Sequence, residues 1–171
     1  MPFLRRLVDL DGRVDAAMGR DPLDRLIGPM SWITRLGSGP VCVPVFLALL
    51  VIGSGRTSEW AATVLVAEIL VLAVLVPLRY ALRRERPRPY PTPRWSPWNR
   101  YSFPSHHAAR AWMAASAAAA VSGPAGAGLA VLAGLISYSR LALRRHYLSD
   151  VLAGAGLGIL AAHCAHLLPG W

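Results

Sequence analysis

The chain has 171 residues, of which 54% are hydrophobic and only 16% charged, and its mean hydropathy is +0.41. Soluble domains carry about 25% charged residues, so this composition argues against one and points to a single compact unit in a membrane. The net charge of +9 comes wholly from arginine, because no lysine is present; the arginines flank apolar runs, which fits anionic headgroups and argues against nucleic acid.

In chain order, Phe3, Leu4, Leu7, Val8, Val14 and Met18 recur at roughly helical spacing, with Arg5, Arg6, Asp9, Arg13 and Asp15 between them. This predicts an amphipathic helix that lies in the membrane interface or packs on the protein itself. Residues 1–20 lack the continuous apolar core of a cleavable signal peptide. Asp21-Pro22 then reads as an N-cap followed by Pro at the first position of a second helix. Leu23, Leu26, Ile27, Met30 and Ile33 supply its apolar side. The expected organisation is one domain over 1–171, with interfacial helices over 1–36 and a transmembrane core over 37–171.

Residues 41–52 form the first apolar span, which is short for a crossing of about 20 residues, so 36–40 extend it. The second span, 60–78, carries Glu68 near its middle. An ionisable group in lipid must face the bundle interior, here as a helix-packing partner or, alternatively, a catalytic group. A basic, proline-rich stretch follows over 79–104, where Arg86-Pro87-Arg88-Pro89-Tyr90-Pro91 cannot continue a helix far. Tyr90, Trp95, Trp98 and Tyr101 crowd it, as an interfacial belt or a platform for a lipid tail. Spans three, four and five cover 107–121, 126–138 and 148–168, with a tight turn at Ser122-Gly123-Pro124.

The fold expected is therefore an all-α integral membrane bundle of about five transmembrane helices. Small residues at 115–120 and in Gly154-x3-Gly158 would let helices approach closely, and the same stripe could serve a homo-oligomer. Cys42 and Cys164 fall near opposite faces and predict no disulfide. His163, Cys164 and His166 lack a further ligand at convincing spacing, so no metal site is expected there.

Three polar motifs stand at the ends of these apolar runs: Arg79-x6-Arg86-Pro87, Pro104-Ser105-His106-His107, and Ser139-Arg140-x5-His146-x3-Asp150. The span order places all three on one membrane face. Arg79, Arg86 and Arg140 together make a strong anion site, with phosphate as the favoured anion. His146 with Asp150 four residues later suits an oriented nucleophile or base. The remaining arginines of this face, Arg83, Arg84, Arg88, Arg94, Arg100, Arg144 and Arg145, read as topology signals. With Arg56 alone on the other face, the positive-inside rule puts the N-terminus and the motifs in the cytoplasm.

These motifs resemble the signature of the type-2 phosphatidic acid phosphatase superfamily, Lys-x6-Arg-Pro, Pro-Ser-Gly-His and Ser-Arg-x5-His-x3-Asp. The resemblance covers 79–150 and implies a bacterial inner-membrane, multi-pass member acting on a lipid phosphate without metal or other cofactor. Candidate substrates are phosphatidic acid, phosphatidylglycerol phosphate, a polyprenyl pyrophosphate and a polyprenyl-phosphate sugar phosphate. It implies that His146 attacks phosphorus, that Asp150 fixes its tautomer, and that His107 protonates the leaving oxygen. Arg79, Arg86 and Arg140 would hold the phosphoryl oxygens, helped by Ser105 and the backbone N–H of His106. Two positions depart from the pattern. Arg79 replaces Lys, and His106 replaces Gly, where it would tolerate a positive φ or line the substrate entrance. A phosphotransferase using a lipid donor and a non-catalytic anionic-lipid-binding protein are the alternative functions.

Overall fold

The computed structural model describes residues 2–19, 27–88 and 100–168, with the side chains of residues 2–5 left out. Among the described residues seven helices follow in order: α1 Pro2–Met18, α2 Ile27–Arg35, α3 Gly39–Ile52, α4 Arg56–Leu82, α5 His106–Val121, α6 Gly123–Ala142 and α7 Leu148–His166. Among the described residues the only β pairing is an isolated bridge between Glu85 and Tyr101. The proposed cap at Asp21-Pro22 and the aromatics Tyr90, Trp95 and Trp98 lie outside the described residues.

Helices α3 to α7 form the expected bundle. Among the described residues four segments are long and apolar enough to cross a membrane: Ile27–Ile52, which joins α2 to α3, then α4, α6 and α7. The fifth helix, α5, has 16 residues and packs against α4, α6 and α7. Outward-facing Val51, Ile52, Ile69 and Val131 are exposed, as lipid-facing side chains must be.

Helix α4 is longer than the apolar run predicts, 56–82 against 60–78. Its 27 residues span about 40 Å, more than the roughly 30 Å hydrocarbon core. The last turns therefore carry Arg79 to the membrane face. Pro77 lies inside this helix without ending it, as a spanning helix tolerates. Ala61, Val64, Ala67, Val71 and Leu75 recur every three or four residues along α4 and are buried. They pack with Ala109, Met113 and Ala117 of α5 and Ala161 and Ala165 of α7.

Glycines set the closest approach in this core. A Cβ added to Gly154 would overlap the carbonyl of Ser105, and one on Gly158 that of Ala109. The Gly154-x3-Gly158 pattern is thus an α7–α5 packing seam, and it fixes the second motif against the third.

The polar groups within the bundle pair with each other. Arg110 of α5 donates to both carboxylate oxygens of Glu68 and, through Nη1, to the carbonyl of Gly37 at 3.0 Å. His106 Nε2 lies 3.0 Å from Glu68 Oε1. The sequence placed Glu68 as a packing partner without assigning Arg110 to it. The two meet because an unpaired charge in lipid costs several kcal/mol.

Candidate active site

The loops that carry the motifs are stitched together by backbone hydrogen bonds. Ser102 N–H donates to the carbonyl of Arg84 at 2.7 Å, and Arg88 N–H to that of Arg144 at 2.8 Å. Ser105 N–H donates to the carbonyl of Asp150 at 2.9 Å. Residues 83 and 144, just ahead of the first and third site loops, adopt left-handed backbone with φ of 48° and 51°. Such conformations are unfavourable for non-glycine residues, and they turn the chain sharply off α4 and α6. Arg144 is held there by its bidentate pair with Asp15 of α1, at 2.9 and 2.5 Å.

One cavity of about 240 Å³ opens where these loops meet. It is lined by Arg79, Arg86, His106, His107, Arg110, Arg140 and His146, with Ser38, Gly39 and Pro40 closing one wall. The three motif arginines and all three motif histidines therefore converge. The basic residues are buried deeply: Arg79 and Arg140 are each 2% exposed, and His146 4%. Each arginine is fixed by an internal acceptor. Arg79 Nη2 donates to the carbonyl of Pro104 at 2.7 Å, Arg140 Nη1 to Thr34 Oγ1 at 2.6 Å, and Arg86 Nη1 to the carbonyl of Arg145 at 2.8 Å. Their remaining N–H groups are placed by these anchors, which is the preorganisation that charge stabilisation needs.

His146 is addressed from both sides of its ring. Arg86 Nη1 lies 2.9 Å from Nε2, whereas Asp150 Oδ2 lies 3.7 Å from Nδ1, an ion-pair separation beyond hydrogen-bond distance. With Nδ1 protonated toward the carboxylate, Nε2 keeps its lone pair at the cavity. Asp150 is fully buried and caps its own helix by accepting from Tyr147 N–H at 2.9 Å. Burial holds the His146 ring well below its ordinary pKa, and the positive charges of Arg86 and Arg140 push in the same direction.

Two expectations are refined. Ser105 is fully buried and does not line the cavity, and its Oγ has no hydrogen-bond partner among the described residues. His106 begins α5 with ordinary negative φ, so glycine freedom is not required at that position. Its imidazole lines the cavity and meets Arg110 and Glu68.

Sequence reasoning left Arg110 out of the site, although it lines the cavity, and it also missed Arg84, Arg144 and Asp11. Arg84 and Arg144 read as topology charges, yet both make short ion pairs, and Asp11 went unremarked on its amphipathic helix. Arg84 lies inside the six-residue spacer of the first motif, and Asp11 has no local motif around it, so only their three-dimensional partners reveal them.

The PAP2 superfamily profile matches residues 60–171. No curated protein matches the chain. Among solved structures the fold is similar to LpxE from Aquifex aeolicus, with a TM-score of 0.73 and 24% identity over 94% of each chain. It is also similar to the first transmembrane PAP2 type phosphatidylglycerolphosphate phosphatase from Bacillus subtilis, with a TM-score of 0.74 and 23% identity over 94% of this chain and 85% of that one. The match over most of the chain, together with all three motifs around one cavity, means that this protein belongs to the PAP2 superfamily.

Proposed function

We propose that this membrane enzyme removes the terminal phosphate of a lipid phosphate or pyrophosphate through a phosphohistidine on His146, without a metal. The observation that carries this reading is the orientation of His146, with Nδ1 toward Asp150 and Nε2 toward the arginine-lined cavity.

In the first step Nε2 attacks phosphorus in line with the leaving oxygen. The P–O bond breaks, and His107 donates a proton to the departing lipid alcohol or lipid phosphate. General acid catalysis of this kind contributes about 10²–10⁴ in rate. Asp150 stabilises the imidazolium that forms. In the second step water attacks the phosphohistidine, His107 takes its proton, and the P–N bond breaks to release inorganic phosphate. Arg79, Arg86 and Arg140 supply the cationic charge that opposes the phosphoryl oxygens in both transition states. Substituting Arg79 for Lys replaces a point charge by a planar fork, and its anchor on Pro104 aims that fork.

One structural neighbour is named as a phosphatidylglycerolphosphate phosphatase, which supports keeping that lipid, with phosphatidic acid and polyprenyl (pyro)phosphates, among the candidates. A bacterial inner-membrane location with the site facing the cytoplasm is supported by the arginine distribution. It is also supported by α1, which binds the motif loops through Asp11 and Asp15 and so shares the cavity's face. The test is phosphate release in detergent, without added metal, from a panel of these lipids. Release by the native protein that is lost in His146→Ala supports the reading. A folded protein that releases phosphate from none of them points instead to phosphotransfer or lipid binding.

A further inference from the structure

The carboxylate behind the nucleophile does not stand alone. Arg84 Nη1 donates to Asp150 Oδ1 at 2.8 Å, and its Nη2 donates to Asp11 Oδ2 at 2.6 Å. Asp11 lies on α1, more than 130 residues away in sequence from the helix it meets. Its other oxygen accepts from Ser149 N–H at 2.9 Å, and the Ser149 hydroxyl donates to Oδ2 at 2.5 Å. Asp11 is 3% exposed, although its helix neighbours Leu10 and Gly12 are exposed. Burial raises its pKa, but the hydrogen bonds from Arg84 and Ser149 outweigh this and hold the carboxyl below its ordinary range.

We propose that Asp11 is a positioning residue for catalysis, acting on His146 through Arg84 and Asp150. This inference rests on the phosphohistidine reading above. Arg84 alone would neutralise Asp150 and weaken its hold on the imidazolium. Shared between two carboxylates, Arg84 leaves the Asp11–Arg84–Asp150 group with a net charge of about −1 behind His146. The same sharing fixes the Arg84 fork, so that Asp150 keeps Oδ2 turned toward Nδ1 while Oδ1 is occupied. Helix α1 is then part of the catalytic apparatus and not merely a membrane anchor. Its second contact, Asp15 with Arg144, docks the helix without touching this chain of groups.

The experiment compares Asp11→Asn, Asp11→Glu and Asp15→Asn for kcat, KM and thermal unfolding on the best lipid of the panel. Loss of the Asp11 charge lowers kcat about tenfold, the effect typical of an outer partner, with KM held within about twofold. Asp11→Glu regains most of the loss, and Asp15→Asn, which loosens the docking of α1 without removing charge from this group, lowers kcat less than Asp11→Asn does. If Asp11→Asn does not yield folded protein, Asp11→Ser removes the same charge while keeping an acceptor for Ser149. Native kcat in the charge-free variant overturns the inference, as does an equal loss in the Asp11 and Asp15 variants. An inactive native protein instead overturns the phosphatase reading itself, so the two failures are distinguishable.

Discussion

Arg86 Nη1 lies 2.9 Å from His146 Nε2. In the proposed mechanism this nitrogen attacks phosphorus, and it is in contact with a cation that would bind the same phosphoryl group. A substrate oxygen entering the cavity would take over the guanidinium and free the lone pair in one movement.

Arg86→Lys tests that arrangement. Lysine keeps the charge but cannot bridge the Arg145 carbonyl and the cavity with one planar fork. We expect kcat/KM to fall roughly 10²–10³-fold, the range for losing one oriented transition-state donor. The fall should be mainly in kcat, measured by phosphate release under saturating lipid.

The pH profile of kcat/KM follows from the state of His146. Only the neutral ring has a lone pair for attack, and burial with the nearby arginines holds its pKa well below 6.5. The acid limb of the profile should therefore lie below pH 6.5, with activity level through neutral pH on that side. In Arg86→Gln one of the lowering influences is removed, and the limb should move up toward 6.5. The sign for folding is the same: the unfolded chain binds the proton more readily. Stability at this residue is thus fully present above pH 6.5 and is lost as pH falls toward the folded value. A limb at or above 6.5 in the native enzyme contradicts this.

Glu68→Gln should leave Arg110 with a buried, uncompensated charge. Breaking such a pair costs about 3–5 kcal/mol, whereas removing both partners is often nearly neutral. We therefore expect a marked fall in the detergent melting temperature for Glu68→Gln. Much of it should be recovered in Glu68→Gln with Arg110→Leu. Equal melting of the single and double variants would argue against a coupled pair.

The motif residues were legible because their spacing survives in the linear chain, and the apolar runs located the helices that carry them. Charges were harder to read. Arg79 marked the end of the hydrophobic run, yet it is helical and 2% exposed, because its fixed anchor is a carbonyl 25 residues away. Arg84 looked like any membrane-edge arginine because its partners, Asp11 and Asp150, lie 73 and 66 residues off. The Glu68–Arg110 pair depends on the relative rotation of two helices, which hydropathy does not encode. Gly154 was legible as a small residue but not as the contact point for Ser105.

That contact carries its own prediction. Gly154→Ala would push a methyl into the Ser105 carbonyl, and Gly158→Ala into that of Ala109. Overpacking of this sort costs typically 1–3 kcal/mol. Both variants should melt earlier, but Gly154→Ala should also lose activity beyond its loss of stability, because Ser105 adjoins the cavity histidines. Thermal unfolding and phosphate release on the same preparations separate the two effects.

The proposed mechanism turns on a covalent intermediate on His146. The most direct measurement is rapid quench of the enzyme with a phosphate-labelled lipid substrate, followed by peptide mass analysis under alkaline conditions. The expected result is a label on His146 that is stable to base, lost in acid and absent from His146→Ala. Turnover of the same substrate with no label on His146, or with full activity in His146→Ala, would contradict it.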